Sequence, residues 1–404
     1  MNLIAALLMA LGLSLSSLYL FPSGQPQPAD FILLAFAAVM VAMALRDDEL
    51  ALSPFALAWG LMLLWILLVC LAWTLIMQST AFFIHVAFFL FNFLIGMALL
   101  RLLGVYGEKV HGLIRTALSL ALLISASQVM VQLALGSGRT TGSFNNPNQL
   151  AFFSLCGIVI LMLLDDFHPR LRPMTLAGLG AALVGIFAAS SLAALGGLAL
   201  VALAWAMANV VRFKELLRLS VVVAGLFALL LVIDLQSGGQ VQQNLQARLD
   251  LAPTKVDRMV EERQFDRLIN FPHYAILGAG EGERERFAPH DSHEIHSSFI
   301  NMLFAYGLPG LGLFLTLLAA AVWRAPLYVW VGLAGPLLYS VTHNGLRTTL
   351  FWLMLTLCWH LYHRQSRECD EAAFASFPPD EMSGPYGAHR DAYADDDGAK
   401  HADI

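Results

Sequence analysis

The chain has 404 residues, 58% of them hydrophobic and only 13% charged, with a mean hydropathy of +0.69. Soluble domains carry about a quarter charged residues, so this composition excludes an ordinary soluble fold. The formal net charge of −6, part of it in the terminal run Asp395-Asp396-Asp397, implies no nucleic-acid partner.

The apolar runs are continuous rather than alternating, which argues for membrane helices and against a transmembrane β-barrel. The first run, 2–21, lacks a basic flank and a small-residue cleavage site, so it reads as a span and not as a signal peptide. Further spans are expected at 30–45, 53–77, 80–103, 112–135, 149–164, 173–189, 191–211, 218–234, 297–323, 325–342 and 347–363. The expected fold is an all-α polytopic membrane protein of about twelve transmembrane helices. Residues 1–234 hold spans one to nine, 235–296 form one large loop, and 297–363 hold the last three. The polar segment 364–404 has too little apolar surface to fold and is expected to be a disordered tail. Cys70, Cys156 and Cys358 lie in apolar runs and Cys369 in the tail, with neither disulfide-framework nor metal spacing.

The cations orient this arrangement. With the N-terminus in the cytoplasm, the connections on that side carry Arg46, Arg101, Lys109, Arg115, Arg170, Arg172, Arg212, Lys214, Arg218, Arg324, Arg364 and Arg367. The short connections on the other side carry only Arg139 and Arg347. That bias is the positive-inside rule, and it puts both termini in the cytoplasm and 235–296 outside. The two arginines that defy it lie on the same face as the large loop, where a charge near hydrocarbon marks function.

Polar constellations gather on that face. Gly138 to Gln149 join two spans through turn-forming residues. Arg139 offers a planar fork suited to phosphate, and Asn148-Gln149 open a helix whose N-terminus attracts anions. A polar hairpin with Arg139 reaching to lipid headgroups would look the same. The loop carries Arg263, Arg267, Arg284 and Arg286 around Gly278-Ala279-Gly280-Glu281-Gly282, which has no preceding strand and is no dinucleotide fingerprint. Further on come His290, Asp291, His293, Glu294 and His296. The order His293-Glu294-Ile295-His296 is one residue short of a zincin motif and matches no known ligand set, so no metal is expected. His296 precedes the N-caps Ser297 and Ser298, where a helix N-terminus keeps an imidazole neutral and able to accept a proton. Glu294 or Asp291 could orient it, and a solvated interfacial histidine is the plain alternative. Tyr339 to Thr349 place His343 and Arg347 on the same face, or form a polar turn on Asn344-Gly345.

Taken together, Arg139-Thr-Thr-Gly-Ser-Phe-Asn-Asn-Pro-Asn-Gln149, the large loop, Gly278-Ala-Gly-Glu-Gly282 and His296-Ser-Ser-Phe-Ile-Asn-Met-Leu-Phe-Ala-Tyr-Gly-Leu-Pro-Gly310 resemble the O-antigen ligase and polysaccharide polymerase superfamily, over about residues 80–363. The resemblance implies a GT-C-like glycosyltransferase of the bacterial inner membrane. It implies a glycan donor on undecaprenyl diphosphate at the periplasmic face, with no cofactor and no essential metal. Arg139 matches the arginine that holds the donor diphosphate, and His296 the histidine that acts on the acceptor hydroxyl. Members often carry a further arginine where this chain reads Ser190-Ser191-Leu192-Ala193, so either a loop residue such as Arg263 or Arg267 substitutes or the diphosphate is held differently; Arg347 is a further candidate for the diphosphate. Asn148, Glu294 and His343 are supporting candidates.

Two jobs exist within such a family. A polymerase joins repeat units that both stay on the lipid carrier, with a chain-length regulator as an expected partner. A ligase moves the finished chain to lipid A core or to protein. The stretch Tyr339 to Arg347 is more similar to exopolysaccharide polymerases. A non-enzymatic transporter or flippase is the reading from a different class. It predicts inverted repeats and mid-span charges, neither of which the sequence displays.

Overall fold

In the computed structural model every regular element among the described residues is helical. The described residues are 2–375, except 23, 47–52, 137–138, 252–259, 261, 292 and most of 211–237. Helices α1 (Leu3–Leu15), α2 (Pro28–Arg46), α3 (Pro54–Met77), α4 (Phe83–Tyr106, after a 3-10 turn Thr80–Phe82), α5 (Glu108–Ala134), α6 (Pro147–Leu164), α7 (Pro173–Ala189) and α8 (Leu192–Asn209) fall where the first apolar runs lie. The loop carries α9 (Gln240–Asp250), α10 (Asp266–Asn270) and α11 (Tyr274–Leu277), and α12 (Ser298–Val322), α13 (Leu327–Thr342) and α14 (Thr349–Ala375) follow. Among the described residues, seven helices are long and apolar enough to cross a membrane, and three more are apolar but shorter. The architecture is that of an all-α, membrane-embedded protein. The expected span 218–234 lies mostly outside the described residues. The expected tail starts late, because α14 runs on through Ala375; residues 376–404 lie outside the described set.

Local chemistry sets the helix starts. Asn2, Ser53, Asn146 and Ser297 each cap a helix with a side-chain oxygen that accepts an early backbone N–H. Pro54, Pro147 and Pro173 occupy first-turn positions, where the absent N–H costs nothing. The α7–α8 junction is sharp: Ser190 turns left-handed (φ 48°) and Ser191 restarts the chain. Small residues let helices touch. A Cβ on Gly335 of α13 would stand 2.6 Å from the Gly197 carbonyl oxygen of α8. The α6 helix is the hub, with 83% of its apolar window buried against 50% or less in the other six long helices.

Two polar ends close the bundle. At one, the Arg115 guanidinium donates to Asp165 at 2.8 Å and to the Leu164 carbonyl at 3.0 Å, and Tyr328 donates to Asp166. The other end gathers the large loop, the α5–α6 and α13–α14 connections, and the α1–α2 hairpin, which is tied by Ser143 to Ser17 and Tyr19. Here the loop has its own small core of Ala279, Phe287, Ile295 and Phe304, flanked by Phe265, Phe271 and Tyr274.

The α12 helix is broken where the loop docks. Gly307 leaves helical geometry (φ 70°, ψ −175°) and Pro309 has no N–H to give. The carbonyls of Phe304 and Ala305 instead accept the backbone N–H groups of Ala279 and Gly280, at 2.9 and 2.7 Å. The indoles of Trp65 and Trp73 donate to the carbonyls of Tyr306 and Gly278. Arg286 donates to the carbonyls of Ala279, Gly280 and Gly282 while lying over the rings of Trp73 and Phe287, 4.6 and 4.5 Å from their centroids. The Gly-Ala-Gly-Glu-Gly segment is thus a backbone splice onto a kinked helix.

Candidate functional site

A cavity of about 550 Å³ opens at the polar end that holds the loop. Its walls come from the α1–α2 hairpin, the first turns of α6 and α14, the end of α13, and the loop. Among the sequence candidates it is lined by His296, His343, Arg263, Arg347, Asn148 and Glu294. Phe152, Tyr339 and His343 form a stacked aromatic wall, with ring centroids 4.7 and 4.4 Å apart.

His296 is placed from both sides. Its N–H donates to the Arg263 carbonyl at 3.1 Å, and the next residue is the α12 cap. Ser298, in the first turn, accepts the Gly345 N–H at 2.9 Å, which brings the His343 turn alongside. Burial lowers the His296 pKa below its ordinary value, and the Arg263 charge and His293 push the same way, against Glu294. His343 is driven further, to about 3, by burial first and then by Arg263, His296 and Arg139. Two neutral imidazoles therefore face a cationic wall. Of the two, His296 is the less depressed and can accept a proton, while the arginines can stabilise an anion.

Arg139 stands behind the wall. Its Nε donates to the Ala189 carbonyl at 2.8 Å and its Nη2 to Asn148 Oδ1 at 3.0 Å. The helix starts one residue earlier than Asn148-Gln149: Asn146 is the cap and Pro147 the first residue, so Asn148 lies in the first turn. Tyr339 donates to the Asn148 carbonyl at 2.7 Å. The Ala189 carbonyl that Arg139 binds immediately precedes the Ser190-Ser191 break, where the resemblance expects another arginine.

The remaining candidates have different surroundings. Arg267 is buried, and its fork is taken by the carbonyls of His290 and His293, at 2.9 and 2.6 Å, and by Gln264. It pins the turn that carries the histidines. His290 pairs with Asp266, while His293 stacks on His296 at 6.3 Å between ring centroids. Among the described residues no three His, Cys, Asp or Glu side chains converge as metal ligands. Arg347 is held by two carboxylates: Nη1 donates to Glu294 at 2.9 Å, and Nη2 lies 3.5 Å from Glu281.

A smaller cavity of about 250 Å³ adjoins the first and shares Arg284, Glu294, Asn344 and Arg347 with it. Its wall contains two residues absent from the sequence candidates, Glu281 and His85. Glu281 Oε2 lies 2.5 Å from His85 Nδ1, and Glu281 also accepts from Asn301. Burial alone would raise the Glu281 pKa, but His85, Arg347 and the Asn301 amide hold it well below the carboxylate range. A signal was available for both. His85 is an ionisable residue inside an apolar span. Glu281 is a carboxylate between two glycines that both adopt positive φ.

Compared with known proteins, the chain matches no family model and no curated protein.

Proposed function

We propose that the protein is a GT-C-like glycosyltransferase of the O-antigen ligase and polymerase type in the bacterial inner membrane, with both termini cytoplasmic. It would transfer a glycan from undecaprenyl diphosphate to a saccharide acceptor in cell-surface polysaccharide synthesis. His296 takes the proton of the acceptor hydroxyl as that oxygen bonds to the donor's anomeric carbon. The bond from that carbon to the diphosphate breaks, and undecaprenyl diphosphate leaves with the electron pair. Arg263 and Arg347 face this anion from the cavity wall, and Arg139 fixes Asn148 at the α6 N-terminus beside it. One observation carries the reading: a neutral His296 and the cations of Arg263 and Arg347 share one cavity. General-base catalysis by such a histidine contributes a factor of about a hundred to ten thousand.

The cavity's place supports transfer over transport. It is formed by helix ends and loops rather than by the middles of broken helices. Polymerisation is preferred over ligation to lipid A core on the Tyr339–Arg347 stretch alone. The test is deletion of the gene, return of wild type or His296→Ala, and measurement of glycan length on the carrier. Single repeat units in the deletion and in the variant mark a polymerase that uses His296. Full-length chains stranded on the carrier mark a ligase. Unchanged glycan in the deletion ends the transferase reading.

A further inference from the structure

We propose that Glu281 is a positioning residue that holds Arg347 at the boundary between the two cavities, so that Nη1 is offered to the donor's diphosphate. The inference rests on the transferase reading above. Glu281 is a firmly placed carboxylate. The backbone on either side of it is held by the carbonyls of Phe304 and Ala305, by Trp73 and by the Arg286 guanidinium. Its side chain is held by His85 in the first turn of α4 and by Asn301 in the first turn of α12. Three elements distant in sequence thus fix one carboxylate, and Arg347 leans on it from a fourth.

The two acids on Arg347 are not equivalent. The Glu281 side chain is 13% exposed and that of Glu294 is 40% exposed. Glu294 lines both cavities on a loop and is the more exposed acid, so its carboxylate can turn to solvent when a diphosphate takes its place on Nη1. Glu281 lies only on the small-cavity side and stays with Nη2. A guanidinium held on one edge by a buried acid and on the other by an exchangeable one, Glu294, is pre-aimed, which is what stabilisation of a leaving anion requires. Glu281 touches no reacting atom, so its effect must pass through Arg347.

The test is a double-variant cycle on purified protein in lipid nanodiscs, with lipid-linked glycan extracted from a deletion strain as substrate. Wild type, Glu281→Gln, Arg347→Lys and the double variant are compared for kcat, KM and thermal midpoint. Glu281→Gln should lower kcat by about tenfold or more in the Arg347 background and by less than about twofold in the Lys background. Should Glu281→Gln fail to fold, Glu281→Asp takes its place in the cycle. Losses that multiply in the double variant would make Glu281 merely structural and overturn the proposal alone. Absence of transfer by the wild-type protein would instead overturn the transferase reading, and the role given to Arg347 with it.

Discussion

Gly278 and Gly307 stand back to back: a Cβ on Gly307 would lie 2.8 Å from the Gly278 amide nitrogen, and one on Gly278 would lie 2.4 Å from the Ala305 carbonyl oxygen. Both adopt positive φ, 101° and 70°. An L side chain is therefore strained and blocked at either position, and the contact it blocks is the one that delivers Glu281. Gly278→Ala and Gly307→Ala should each destabilise the protein by about 2–4 kcal/mol and abolish transfer. Gly312→Ala, a helical position where a Cβ meets nothing within 4 Å, should do neither. Thermal midpoints in detergent decide this.

Arg139→Lys should fail despite keeping the charge. The Arg139 fork spans two acceptors on different elements, Ala189 O and Asn148 Oδ1. A single ammonium cannot satisfy both in that geometry. Loss of one such hydrogen bond costs about 1 kcal/mol of stability. The larger effect, about tenfold or more in turnover, should come from release of Asn148 at the cavity, since small misplacements of a site cost heavily. A Lys variant with full turnover would contradict this role.

The acid limb of kcat/KM should lie below pH 6.5. Burial and the Arg263 charge both depress the His296 pKa, so the free base persists to lower pH than for an ordinary imidazole. Arg263→Gln removes one of these causes and should move the limb upward, toward neutral pH. A limb that stays put would separate Arg263 from the base electrostatically.

His343 should make the fold acid-sensitive. Its folded pKa is depressed to about 3, from an ordinary value of 6.5. The unfolded chain takes up this proton first as the pH falls, and the native state does not. The contribution of His343 is therefore fully present above about pH 6.5 and is lost progressively down to about pH 3. His343→Gln should flatten the fall of the thermal midpoint across that window.

The sequence made parts of this legible and hid others, for physical reasons. Helices α3 and α7 coincide with apolar runs to within a residue, because burial in lipid forces the backbone to satisfy itself. Ser297 was readable as a cap, and the expected spans 173–189 and 191–211 already part at the Ser190-Ser191 junction. The role of Arg267 was not: nothing local distinguishes a fork spent on carbonyls from one offered to phosphate. Glu281 and His85 each left a signal, but their pairing was hidden because it joins positions 85 and 281. The helical stretch to Ala375 was missed because its polar composition reads as tail, whereas the helix simply continues from an apolar start.

The hub position of α6 has a mechanical consequence. Its first two turns supply Asn148, Phe152 and Phe153 to the cavity, and it is buried from Leu150 through Leu164. A helix enclosed in this way cannot swing or slide without dismantling the packing around it. The floor of the cavity therefore behaves as an anvil, a fixed surface against which the other walls can shift while the helix stays where it is.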